Sequence, residues 1–282
     1  MVKIAHIINP YSTSDVEGNK IQALTFQSII NAKENCSIDV ELFTAQYKED
    51  RAIIPPQFIK TPDLVFSFND VSHKKGDKKL PLIKDVLQRL FDTSEADFFV
   101  YSNMDIILCA NFYNNVLDII EQGHDSFIIN RRRLPYSFIN SSIEEICAQT
   151  GRKHPGFDCF IFHRSLFPKM VLGEIVQATF AGVTLAHNLF CFSRNFKLFD
   201  NEHLTFHLGM KVIDRHEAIY YWFNRNEFFR NIKKQLWKDF DISKFPYYHL
   251  PIWKRYIKWG INPSLFVFIN FKLELIRFFK TK

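Results

Sequence analysis

The hydrophobic positions fall into short apolar runs and amphipathic stretches that alternate along the first two thirds of the chain. Residues 3–9 form a buried-type strand, and the turn-forming run 10–19 leads into a helix-like stretch over 21–33. Apolar runs bounded by polar clusters predict two more strands, over 38–43 and 63–68. Leu82, Ile83, Val86, Leu87 and Leu90 then recur at helical spacing behind Pro81, which suits a first helical turn. Residues 97–108 read as a strand broken by a polar island at Ser102, Asn103 and Asp105. A helix over 111–122 and a strand over 126–130 follow, the strand ending in Arg131, Arg132 and Arg133. Strands alternating with helices predict an α/β fold: a mainly parallel, Rossmann-like central sheet with helices on both faces and ligands at the carboxyl ends of its strands.

Near residue 215 the character changes to aromatic and basic, which predicts an α/β domain over 1–215 and a mostly helical extension over 216–282. From Tyr247 onward the chain carries Lys254, Arg255, Lys258, Lys272, Arg277, Lys280 and Lys282 against a single acid, Glu274. That imbalance favours an anionic partner, and the interleaved Trp253, Tyr256 and Trp259 make an anionic membrane surface a candidate. Packing of the same aromatics on the core, or a subunit interface, is the alternative. Lys272, Glu274 and Arg277 interrupt the longest apolar run, so no spanning helix is expected.

The 282 residues are 47% hydrophobic and 23% charged, which excludes wholesale disorder. Five cysteines (Cys36, Cys109, Cys147, Cys159 and Cys191) are widely spaced and form no CxxC pair. Neither a zinc site nor a disulfide framework is expected from them, and a reducing, cytoplasmic setting follows. The N-terminus lacks the pattern of a signal peptide. Neither GxGxxG nor GxxxxGK[ST] occurs, which argues against a dinucleotide fingerprint and a P-loop kinase. The basic residues form no long stripe before residue 230, so no specific nucleic-acid partner is expected.

A carboxylate at the end of a buried strand is costly unless it is paired, hydrogen-bonded or bound to a cation, which singles out Asp105. Asn103-Met104-Asp105 resembles the Asp-any-Asp motif of glycosyltransferases with the A-type fold. Asn103 in the first position keeps an oxygen ligand and loses a charge, leaving it either a weaker metal ligand or a ribose contact. The resemblance implies a divalent cation, Mn²⁺ or Mg²⁺, held by Asp105 and by a late histidine of the segment NEHLTFHLG. His207 is the better match there, with His203 left open. It also implies Asp158, in HPGFDCFIFHR, as the base facing the acceptor hydroxyl. Arg131 and Arg133, on one face by strand alternation, would meet the donor's phosphates. The base and ribose would sit near Asn9, Pro10, Tyr11 and Ser12, and at the exit of the third strand, Asn69 and Asp70. A turn-capping Asp105, a loop-closing Asp158 and a solvated arginine run are the plain structural alternatives.

The expected activity is transfer of a sugar from a nucleoside-diphosphate sugar to a glycan or lipid-linked acceptor. A nucleotidyl or phosphoryl transferase on a similar sheet, and a non-catalytic membrane- or polyanion-binding protein, are the competing classes.

Overall fold

The computed structural model describes residues 2–154, 156–210, 218–236, 238 and 240–261. Its first half alternates as expected: β1 (Lys3–Ile8), α1 (Val16–Glu34), β2 (Asp39–Thr44), β3 (Ile59–Lys60), the short α2 (Phe68–Val71), α3 (Ile83–Thr93), β4 (Phe98–Ser102), β5 (Ile107–Leu108), α4 (Phe112–Glu121) and β6 (Ser126–Ile129). There follow β7 (Arg132–Leu134), α5 (Ile143–Cys147), β8 (Arg152–Lys153), β9 (Cys159–His163), α6 (Ala181–Phe192), β10 (Phe196–Phe199) and β11 (Thr205–Leu208). Among the described residues of the C-terminal part are α7 (Ala218–Glu227), a π-helical turn over Phe228–Ile232, α8 (Lys233–Leu236) and α9 (Ile252–Ile261).

Seven strands form the central sheet in the order β10-β6-β9-β4-β1-β2-β3. Every neighbouring pair is parallel except those made by β9, which runs antiparallel between β4 and β6. This is the α/β architecture with a mainly parallel sheet that the alternation predicts. Side chains along β4 divide strictly between the faces: Phe98 and Val100 pack with α1 and α4, Phe99 and Tyr101 with α3 and α6. Helices on both faces explain why the strands read as continuous apolar runs rather than alternating ones. A second, four-stranded sheet, β5-β11-β7-β8, stands at the carboxyl edge of the first.

α1 starts at Val16, five residues before its apolar pattern does, because the Asp15 carboxylate accepts from the Glu17 and Gly18 amides and caps it. The third strand differs from expectation. Residues 63–68 are not a strand: Leu64 N–H still bonds Gln46 O at 2.8 Å, but Val65 and Phe66 are exposed and Phe68 opens α2. The paired segment is Ile59–Lys60, ended by Pro62, which has no N–H to extend a ladder. The cysteine expectation is also corrected, since Cys109 and Cys147 form a disulfide with Cα atoms 5.7 Å apart. It joins the residue after β5 to the end of α5, which packs directly against β5 and β11, and spacing along the chain carries no sign of that contact. The argument for a reducing compartment loses its premise with it. No described helix is long and apolar enough to cross a membrane.

The boundary expected at residue 215 falls in 211–217, and the basic tail beyond 261 likewise lies outside the described residues. Phe228, Ile232, Leu236, Phe245 and Trp259 join the same core as α3 and α6, so these residues of the C-terminal segment pack on the central sheet.

One buried polar network lies directly beneath the polar island. His6, on β1, shares hydrogen bonds with Tyr113 Oη at 2.7 Å and with Ser102 Oγ at 2.9 Å. Burial depresses its pKa to about 3, so the ring is neutral at neutral pH. Replacing His6 with Phe strands both hydroxyls in the core. We expect a loss of about 2–4 kcal/mol in urea unfolding, and a change under about 0.5 kcal/mol would show that the network does not hold the sheet.

Candidate active site

The register of three strands explains how the polar residues meet. Cys159 pairs with Ser102 on one side and with Ile129 on the other. Asp158, just before Cys159, therefore lies between the chain leaving β4 at Asn103 and the chain leaving β6 at Asn130 and Arg131. After β4 the chain buries Met104 and Ile106 and leaves Asn103 and Asp105 on the outer side of the turn. β11 closes the group from the small sheet, where His207 is in register with Arg133 and Phe206 with Arg132 and Ile107.

His207 Nε2 lies 3.1 Å from Asp105 Oδ2. Arg131 Nη1 stands 3.0 Å from Asp158 Oδ1 and 3.9 Å from Asp105 Oδ2, so one guanidinium bridges the two carboxylates. His154 Nε2 is 3.8 Å from Asp158 Oδ2, too far for a direct hydrogen bond. The Asp105 side chain is 38% exposed against 6% for Asp158, which makes Asp105 the open lip of the site and Asp158 its floor.

The electrostatics of the two acids diverge. At Asp105 burial opposes the charge, but the His207 hydrogen bond, then the charges of His207 and Arg131, outweigh it and hold the carboxyl well below the usual range. At Asp158 burial wins: despite Arg131 the carboxyl is raised above its ordinary value, with the Asp105 charge adding to the shift. His154 falls to about 3, first through burial and then through Arg131, Arg133 and His207. It is neutral at neutral pH and presents a dipole, not a cation, to Asp158.

The chain therefore brings together Asp105, Asp158, Arg131 and His207, with Asn103 beside them. Asn103 Oδ1 accepts from Tyr101 Oη at 3.5 Å. β11 is a strand, so His207 and His203 do not share a helical face; His203 precedes the strand. Arg133 reaches backbone carbonyls of Met210 and Lys153 through Nη1 and Nη2. Arg132 turns the other way to the carbonyls of Thr150 and Gly151, as strand alternation requires.

Other expected donor contacts are differently occupied. Asn9 donates to Ala45 O at 2.6 Å and ties β1 to the exit of β2. Pro10 is buried, and Tyr11 exchanges backbone hydrogen bonds with the Gln22 amide while half its side chain is exposed. Asn69 and Asp70 do not stand at a strand exit. Asn69 closes on Gly76 through both of its amide atoms, and Asp70 Oδ2 caps α2 through Ser67 N and Oγ. A cleft between α1 and α5, lined by Phe26, Ile30 and Ile143, contains none of these residues.

His154 is the site member that pattern reading passes over. Its signal is local: in His-Pro-Gly-Phe-Asp it is four residues before Asp158, and Gly156 makes room for it. A Cβ on Gly156 would stand 2.4 Å from His154 Nε2, so a larger residue there would have to displace that ring. Gly209, at φ +133, similarly lets the chain turn past the His207 ring.

No protein-family model matches the sequence, and no characterised protein matches it by sequence. Among solved structures, S. aureus TarS 1–349 is 9% identical with a TM-score of 0.43, covering 87% of this chain and 81% of that one. Its complex with UDP-GlcNAc gives 9% and 0.45, over 94% and 78%. The 4-diphosphocytidyl-2C-methyl-D-erythritol synthase of Anaerococcus prevotii gives 9% and 0.45, over 79% and 98%.

Proposed function

We propose that the protein is a glycosyltransferase that moves a sugar from a nucleoside-diphosphate sugar to a hydroxyl of a glycan or lipid-linked acceptor. One observation carries this reading. Asp105 Oδ1, Asp158 Oδ2, Arg131 Nε, His154 Nδ1 and His207 Nδ1 are all buried without a protein partner. Buried polar atoms are normally satisfied, so five such atoms on mutually adjacent residues mark a place shaped for a polar ligand. Its chemistry is mixed: a cationic guanidinium for phosphate, a base for a hydroxyl and an acid at the rim.

Asp158 is assigned the acceptor's proton, since its raised pKa makes it a stronger base than an ordinary carboxylate. Arg131, with Arg133 behind it, faces the diphosphate, where negative charge grows as the leaving group departs. Asn103 lies at the ribose or the phosphates, and Asn9, Pro10 and Tyr11 border the nucleoside. Asn69 and Asp70 shape the adjoining loop.

Among the described residues no group of three or more His, Cys, Asp or Glu side chains is arranged around a metal position. Two donors nevertheless fit one. Neighbouring ligands of a six-coordinate ion at about 2.1 Å lie roughly 3 Å apart, and His207 Nε2 and Asp105 Oδ2 are separated by 3.1 Å. A divalent cation held there would neutralise the donor's phosphates. A metal-free form of the same transfer is favoured by the position of Arg131, which already supplies a charge beside both carboxylates.

The test is a thermal-shift panel of nucleoside diphosphates and their sugars, with and without Mn²⁺, followed by product analysis. A ligand at 100-fold its Kd should stabilise the fold by about 2.7 kcal/mol, and turnover should release a nucleoside diphosphate. Release of pyrophosphate would make the protein a nucleotidyl transferase; no shift with any nucleotide would remove the donor site.

A further inference from the structure

The last described helix carries an apolar stripe on its open side. α9 begins after Pro251, whose carbonyl accepts from Arg255 N–H, and is fastened by Trp259. That ring is 1% exposed, packs edge-on against Phe245, and donates through Nε1 to Pro246 O at 2.7 Å. The rest of the helix is not used this way. Ile252, Trp253, Tyr256 and Ile257 remain 65%, 62%, 50% and 52% exposed. At about 100° per residue they occupy one arc of roughly 140°. Lys254 and Lys258 come next around the helix, both exposed, with Nζ atoms 5.2 Å and 5.6 Å from the rings of Trp253 and Tyr247.

Large apolar side chains gathered on one short helix mark a contact surface, whereas the same residues scattered singly would not. Charge selects the occupant. From Tyr247 to the end the sequence holds seven cations and one acid, so two copies meeting through this stripe would set like charges rim to rim. Trp and Tyr at the boundary, aliphatic side chains between them and lysines along one rim suit the headgroup layer of an anionic bilayer. We propose that α9 lies flat on an anionic lipid surface, with Trp253, Tyr256 and Ile257 in the headgroup–acyl boundary and Lys254 and Lys258 at lipid phosphates. This docking is independent of the catalytic reading and would hold if the reaction assigned above were wrong.

The experiment is flotation of the full chain with vesicles of phosphatidylglycerol and phosphatidylcholine in equal parts, and with phosphatidylcholine alone. The wild-type protein should float with the anionic vesicles and not with the neutral ones. The apolar variant Trp253→Ser/Ile257→Ser and the charge variant Lys254→Glu/Lys258→Glu should each bind roughly ten-fold more weakly or worse. Their melting temperatures should match the wild type, because the altered side chains are exposed. Three results would overturn the idea. Equal flotation of the wild type and both variants would put the lipid contact elsewhere. A soluble dimer abolished by the apolar variant, without lipid binding, would assign the stripe to a second copy. No flotation of the wild type with either vesicle would show that α9 does not dock on lipid.

Discussion

Asp158→Asn should lower the transfer rate by about 10²–10⁴-fold, the range for losing a positioned general base, while leaving the melting temperature unchanged or raised. The two effects share one cause. Asp158 is buried, its Oδ2 has no protein partner, and its carboxyl is raised above the ordinary value. A carboxyl raised on folding binds its proton more tightly in the folded chain than in the unfolded one. Its contribution to stability is therefore fully present below the unfolded pKa, about 3.9, and is lost as pH rises through the higher folded value. At neutral pH the ionised group is a net liability that the fold carries for its chemistry. The amide keeps an oxygen for Arg131, which stands 3.0 Å from Oδ1, and removes only the charge. The pH profile supplies a second check. Wild-type activity should fall as pH drops through the raised pKa, because a protonated base cannot accept the acceptor's proton. Residual activity in the variant should lack that limb. A variant that keeps a third of the wild-type rate, or melts several degrees lower, would make Asp158 a structural residue.

How much of this site could be read from the sequence depends on the length of the element carrying each residue. Asp105 is conspicuous because a polar island interrupts a run otherwise buried on both sides, and any long central strand would display such an interruption. Arg131 and Arg133 follow from simple alternation at the end of β6, and the structure sends Arg132 to the opposite side. The small sheet is another matter. β5, β7, β8 and β11 are two to four residues long, below the length at which periodicity says anything, yet their pairing is what sets His207 against Asp105. The choice between His203 and His207 turns on that pairing. The misplaced third strand has the opposite origin: residues 63–68 have the composition of a strand, but Ile59–Lys60 took the place beside β2. Asn69 and Asp70 lost their expected position with it. Cys109 with Cys147, and His154 with the arginines, are contacts between distant or irregular segments, which hydrophobic pattern does not encode.

Asp105→Ala should reduce transfer by about 10³-fold or more, as expected when charge stabilisation at a leaving group is removed. The fold should survive. Asp105 is the most exposed member of the cluster, and Arg131 keeps Asp158 as its counter-ion, so no buried charge is left alone. Chelation then separates two ways in which Asp105 could matter. If Asp105 and His207 hold a divalent cation, treating the wild type with EDTA should reproduce the loss seen in the variant, and Mn²⁺ should restore the wild type but not Asp105→Ala. If EDTA leaves the wild type untouched while Asp105→Ala is inactive, the carboxylate acts through its two neighbours, holding the His207 ring at 3.1 Å and steering Arg131 toward the phosphates. Arg131→Lys distinguishes these further, because a lysine keeps the charge but cannot span both acids. It should be tolerated where a cation carries the phosphates and damaging where the guanidinium does. Normal donor hydrolysis and transfer by Asp105→Ala would place the chemistry outside this cluster altogether.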